Sequence, residues 1–162
     1  MVEEGIKKYL NIEAIEAMIP DRDPRLFIQE AQVIENDVDY LIAYCLVTEE
    51  MCEGHFPSFP ILPLAVAAEA AGQAGSLLVI HLLGVSDKIV LAVSAEKTRY
   101  RGGKKKGKGY IMPGDTMEIK VTYTGGRALY HTVNAGIYVE GILMVSIEEI
   151  GLIVIDKQNF GC

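Results

Sequence analysis

Residues 61–84 form an apolar run long enough to cross a bilayer. Glu69 and Gln73 stand near its middle and His81 near its end, and much of its apolar character comes from Ala and Gly. A carboxylate at the centre of a bilayer is costly, so the run reads as a helix buried in protein. Ala65, Ala68, Gly72 and Gly75 share one stripe of that helix, which lets its axis approach a sheet closely. The rest of the chain must therefore supply a surface that wraps it.

The flanking segments have the period of strands. Residues 26–34 and 38–48 alternate around Asn36-Asp37 and read as a hairpin. After Gly84, strands are predicted over 88–100, 115–124, 127–139 and 142–155, with turns at Gly125-Gly126 and Glu140-Gly141. Phe27, Tyr40, Tyr44, Tyr123 and Tyr138 fit sheet positions. At the start, Ile6, Leu10, Ile12, Ile15, Met18 and Ile19 have near-helical spacing, with Asn11 a cap for a short helix ending before Pro20. The order predicts an α+β fold, a curled antiparallel sheet with one long helix against a face, in a single domain over 1–162.

Composition excludes some functions. A net charge of −7 argues against nucleic acid as the main partner. Cys45, Cys52 and Cys162 form no CxxC pair and suggest reduced thiols, hence a reducing compartment. The acidic start, Glu3-Glu4, is unlike a signal peptide, and a cytoplasmic protein is expected.

The chemistry concentrates in Gly54-His55-Phe56-Pro57-Ser58-Phe59-Pro60-Ile61-Leu62-Pro63 and the helix after it. Three prolines fix φ and stiffen the loop, and Pro63 suits the first helical turn. Glu69 and Gln73, four apart, share a helix face, and Glu69 is expected to be buried. A buried Glu needs a partner or a raised pKa, and either suits a general acid. The free amides at Leu64 and Ala65 offer an oxyanion site. A lone His after Gly is ordinarily a surface residue. His55 next to a carboxyl acid and an amide donor instead suits proton removal beside a carbonyl. His81 and His131 read as structural.

The pattern Gly54-His55-Phe56-Pro57-x-x-Pro60-x-x-Pro63, then Glu69-Ala70-x-x-Gln73, resembles the signature of the FabZ-type beta-hydroxyacyl-acyl carrier protein dehydratases, which have the hot-dog fold. Residues 12–19 with Pro20-Asp21-Arg22-Asp23-Pro24 are similar to that family's entry helix and Pro-His-Arg-x-Pro turn. Thr98-Arg99-Tyr100 resembles its Ala-Arg-Phe segment, and Met112-Pro113-Gly114-Asp115 its Val-Pro-Gly-Asp turn. The resemblance covers about residues 12 to 155. It implies a sheet wrapped around the central helix and a homodimer, often a trimer of dimers. Active-site tunnels would then take histidine from one subunit and glutamate from the other. His55 would remove the C2 proton of a 3-hydroxyacyl thioester carried by acyl carrier protein. Glu69 would orient and protonate the departing hydroxyl. Leu64 and Gly54 would bind the thioester, and Phe56, Pro63, Gln73 and Tyr100 would position the substrate. No metal or cofactor is implied.

The chain departs from that pattern at three places. Leu64 stands where the family has glycine, Asp21 replaces the entry-turn histidine, and the basic stretch 101–109 is inserted. That stretch has the composition of a solvated loop. Arg99, Arg101, Lys104, Lys105, Lys106 and Lys108 are also candidates for docking an acidic carrier protein. The same fold admits two other activities, acyl-thioester hydrolysis or a non-catalytic subunit that binds acyl carriers.

Overall fold

The computed structural model describes residues 5–35, 39–102 and 108–160. The elements run β1 (Gly5–Leu10), α1 (Ile12–Met18), β2 (Glu30–Glu35), β3 (Tyr40–Leu46), α2 (Glu49–Cys52) and α3 (Leu64–Leu83). They continue as β4 (Lys88–Ala95), β5 (Thr98–Tyr100), β6 (Thr116–Arg127), β7 (Tyr130–Val139) and β8 (Ile142–Asp156), closed by a 3-10 turn, Lys157–Phe160. The sheet order is β1-β2-β3-β6-β7-β8-β4, with β5 also on β8. Every pairing is antiparallel. The eight-stranded sheet stays open and curls around α3, giving the α+β hot-dog architecture.

The strands alternate inward apolar and outward polar residues, as a half-buried sheet requires. Met117, Ile119 and Val121 of β6 and Val133, Ile137 and Val139 of β7 face the core. Opposite them lie Ala67, Ala70, Ala71, Ala74, Leu77 and Leu78 of α3. The long apolar run is thus a core helix. By length and composition it would pass for a membrane span, but it is largely buried inside the protein. Its small-residue stripe has a direct use. A Cβ on Gly72 would meet Ala92 at 3.0 Å, and one on Gly75 would meet Val133 at 3.0 Å and Leu152 at 3.1 Å. The other end of the predicted stripe, Ala65, is exposed, because the helix start projects past the sheet.

Several expectations are corrected. Residues 5–10 form a strand, since β2 offers them an unpaired edge. Of Ile6 and Leu10, whose spacing suggested a helix, only Leu10 is buried. Asn11 does cap α1, its side chain accepting the Ala14 N–H at 3.0 Å. Residues 26–29 precede the strand, which begins at Glu30. The 88–100 segment breaks at Lys97 (φ 43°) into β4 and β5. Gly125-Gly126 lies within β6, and the turn falls at Ala128-Leu129. Glycine is needed at 126 because a Cβ there would overlap the His131 ring. That ring is buried, its Nδ1 accepting the Tyr123 hydroxyl at 3.0 Å and its Nε2–H reaching the Ala128 carbonyl at 3.2 Å. The Glu140-Gly141 turn is as expected, both residues having positive φ. The Asn36-Asp37 turn and Cys162 lie outside the described residues.

Two measurements test this packing. Gly75→Val forces branched bulk between α3 and the β7–β8 pair and should lower unfolding free energy by about 2 kcal/mol in urea titration. Cys45 and Cys52 are free and fully buried, and burial pushes the Cys45 thiol up to about 12. A thiol pKa raised on folding favours the native state below the unfolded value. That stability is lost as pH rises through roughly 9 to 12. Alkylation of Cys45 at pH 8 should therefore require prior unfolding, which mass spectrometry with and without urea would show.

Candidate active site

The His55 loop is held by its own backbone. Thr48 caps α2, its hydroxyl accepting the Met51 N–H at 3.3 Å. This short helix was not anticipated, although Thr48 followed by Glu49 and Glu50 is a helix-start signal. Gly54 follows with φ 78°, a conformation that suits glycine. The His55 N–H then donates to the Cys52 carbonyl at 3.0 Å. Phe56 and Phe59 exchange two backbone hydrogen bonds at 3.1 Å each, and the Ile61 N–H returns to the His55 carbonyl at 2.8 Å.

The imidazole is fixed in the same way. His55 Nδ1 lies 3.1 Å from the Ile61 carbonyl oxygen, which can only accept. Nδ1 therefore carries the proton, and the Nε2 lone pair of the neutral ring is left for chemistry. The half-buried ring stacks on exposed Phe56 at 4.6 Å. Phe59 meets Tyr110 edge-on at 5.6 Å, so aromatic surface continues from the loop.

At the start of α3, Pro63 is the cap residue, one position earlier than expected, and it makes no side-chain capping bond. The Leu64 and Ala65 amides donate to no partner among the described residues. The Leu64 side chain reaches the surface. Glu69 is exposed, where the sequence predicted burial, because it lies on the face of α3 opposite buried Ala67 and Ala70. Among the described residues, His55 and Glu69 share no hydrogen bond within the chain.

Gln73 is buried, at 4% exposure. Its Oε1 accepts the Phe27 N–H at 3.0 Å and its Nε2 donates to the Arg25 carbonyl at 2.7 Å, so it latches the 21–27 turn onto α3. The same nitrogen lies 3.4 Å from Asp21 Oδ1 and 3.4 Å from Glu69 Oε1. Burial raises the Asp21 pKa above its ordinary value. Beside this latch is a cleft of about 430 Å³, lined by Pro24, Leu26, Phe27, Leu46, Met51 and Val66 among others. A second, of about 580 Å³, opens on the outer side of the His55 loop beside Gly54, Phe56, Pro57 and Pro60.

Tyr100, expected to position substrate, is partly exposed. Its hydroxyl accepts the Ile111 N–H at 2.6 Å, and the Ile111 carbonyl accepts the Leu62 N–H at 2.8 Å, so it braces the chain leading into α3. Of the basic residues, Arg99 and Arg101 are exposed, with Arg101 Nε on the Ser146 hydroxyl at 2.9 Å. Lys108 is mostly buried in an ion pair with Asp115 at 2.7 Å, which the sequence did not reveal. Lys104, Lys105 and Lys106 lie outside the described residues. Among the described residues no group of three His, Cys, Asp or Glu side chains is placed to hold a metal.

Residues 20–148 match the family model of the FabA-like domain. The chain belongs to the FabA-like family. It is 32% identical to a 3-hydroxyacyl-[acyl-carrier-protein] dehydratase FabZ of Protochlamydia amoebophila, over 93% of both chains. It is 31% identical to the FabZ of Paramagnetospirillum magneticum, over 93% of this chain and 91% of that one. Among solved structures, a chain of the dehydratase heterocomplex ApeI:P from Xenorhabdus doucetiae superposes with a TM-score of 0.68. The match covers 94% of this chain and 96% of that one, at 15% identity. The E. coli PaaI protein superposes with a TM-score of 0.55 at 13% identity, covering 76% of this chain and 82% of that one. Both likenesses concern the fold.

Asp115 also accepts the Met112 N–H at 2.8 Å, so it fixes the turn under the His55 loop as well as pairing Lys108. Asp115→Ala leaves that ammonium largely desolvated without a counter-charge. Chemical denaturation should show a loss of about 2–3 kcal/mol.

Proposed function

We propose that this chain dehydrates 3-hydroxyacyl groups carried by acyl carrier protein to trans-2-enoyl thioesters in the cytoplasm, as a step of fatty acid or related acyl-chain biosynthesis. The observation that carries the reading is the His55 tautomer. With Nδ1–H given to the Ile61 carbonyl, Nε2 is the basic atom on a loop with little freedom to turn. His55 Nε2 takes the proton from C2. Electron density moves onto the thioester oxygen, which the Leu64 amide faces at the open N-terminus of α3. Glu69 gives its proton to the C3 hydroxyl, and the electron pair returns from the thioester oxygen to form the C2=C3 double bond as the C3–O bond breaks and water leaves. The FabA-like family match and the FabZ relatives support this chemistry.

His55 and Glu69 of one site then come from two copies of the chain. Among the described residues β4 ends the sheet with no strand on its outer edge, and Leu91 and Val93 on it are exposed. A second copy pairing there would continue the sheet and bring another α3 alongside. Such an edge otherwise invites aggregation. Of the six candidate docking cations, Arg99 and Arg101 are the described ones exposed to meet an acidic carrier, whereas Lys108 is neutralised by Asp115.

The test follows enoyl formation and free thiol from a 3-hydroxyacyl carrier protein. Wild type should form enoyl product, and His55→Ala and Glu69→Gln should each reduce it at least about a hundredfold. Free thiol without enoyl would make the protein a hydrolase. Carrier binding without turnover would make it a non-catalytic subunit, and Leu64→Gly would then show whether the isobutyl group blocks the site. Arg99→Glu with Arg101→Glu should raise KM for the carrier-bound substrate about tenfold and leave a small thioester substrate unaffected, if carrier docking uses these charges.

A further inference from the structure

Gln73 has two amide hydrogens and three acceptors within reach. Its orientation is fixed, because the Phe27 N–H needs the oxygen and the Arg25 carbonyl needs the nitrogen. One hydrogen is committed to Arg25 at 2.7 Å. The other faces both Asp21 Oδ1 and Glu69 Oε1, each at 3.4 Å, too long for a full bond to either and equal in length. Asp21 cannot easily withdraw, since its neighbour Arg22 is tied by its guanidinium to the Glu16 and Ile19 carbonyls at 2.8 and 2.9 Å.

We propose that Asp21 is a positioning residue for Glu69, competing with it for the second Gln73 N–H so that the Glu69 carboxyl is held only loosely by the latch. This inference rests on the dehydratase reading and deepens it. A Glu69 fully bonded to Gln73 would be drawn along α3 toward the buried amide and away from a substrate hydroxyl. With Asp21 sharing the hydrogen, the exposed Glu69 carboxyl is left without a full bond to the latch. The family resemblance does not supply this arrangement, because it places histidine where this chain has Asp21.

The experiment combines kinetics with the side-chain NH2 resonances of Gln73. Asp21→Ala should lower kcat about tenfold with KM within about twofold, the scale expected when a reacting group is misplaced. Asp21→Asn keeps a carbonyl acceptor and should restore most of that loss. In a Glu69→Gln background, Asp21→Ala should cost nothing further, since the group it positions is gone. The proposal is overturned if Asp21→Ala costs the same factor in both backgrounds or leaves kcat unchanged. The NMR arm is independent of turnover. Asp21→Asn and Glu69→Gln should each shift the same Gln73 amide proton, and an unmoved proton in Asp21→Asn would also sink the idea. If wild type forms no enoyl product, the dehydratase reading fails while the resonances still decide whether the hydrogen is shared.

Discussion

The close approach of α3 to the sheet at Gly72 and Gly75 sets the geometry of everything else. With side-chain atoms of Ala92, Val133 and Leu152 about 3 Å from where a Cβ would stand, the helix lies closer to the strands than a larger residue at these two positions would allow. A sheet must curl to follow a helix at that distance, and β6, β7, β8 and β4 do so while burying Ala and Leu faces of α3. On one face that contact runs from Ala67 onward. The opposite face of its first two turns is left outside, and that face carries Leu64, Ala65 and Glu69. One packing arrangement thus makes the core and also presents unpaired amides and a carboxylate at the surface.

A second layer of constraint holds the approach to that helix start. Leu62 hangs on Ile111, Ile111 on the Tyr100 hydroxyl, and the Met112–Asp115 turn on Asp115, which Lys108 neutralises. From the other side, Gln73 ties the 21–27 turn to α3. The His55 loop between them is closed by its own hydrogen bonds. Preorganisation of this kind matters for acid–base chemistry, because a base that need not reorient spends less free energy reaching its transition state.

Much of this was legible in the sequence, for physical reasons. The core helix announced itself by a carboxylate that no bilayer would accept, and the strands by period-2 alternation. His55, Glu69 and Gln73 were legible through a dense motif of prolines at fixed spacing. What failed to show was whatever depends on partners distant in sequence. Residues 5–10 became a strand because β2 needed an edge partner, which local spacing cannot reveal. Gly126 looked like a turn residue but is small to admit the His131 ring. Glu69 looked buried because its neighbours in sequence are apolar, and its exposure follows from the face of α3 it occupies. Lys108 looked like one of six docking cations until Asp115 proved to be its partner.

The exposure of Glu69 bears on how a site of this kind would work. A carboxyl in water gains little as an acid catalyst, because solvent competes for every hydrogen bond it makes and screens its field. On the proposed reading, the surface that completes the site does two things at once. It supplies the histidine from a second chain, and it strips water from Glu69. The β4 edge and the exposed face at the start of α3 would then be two parts of one requirement. Catalysis would depend on association, since among the described residues of one chain His55 and Glu69 share no hydrogen bond. In such a pair the Gln73 latch gains importance, because a desolvated carboxyl loses its hydrogen bonds to water. The way Asp21 and Glu69 divide one N–H would then set where the acid points.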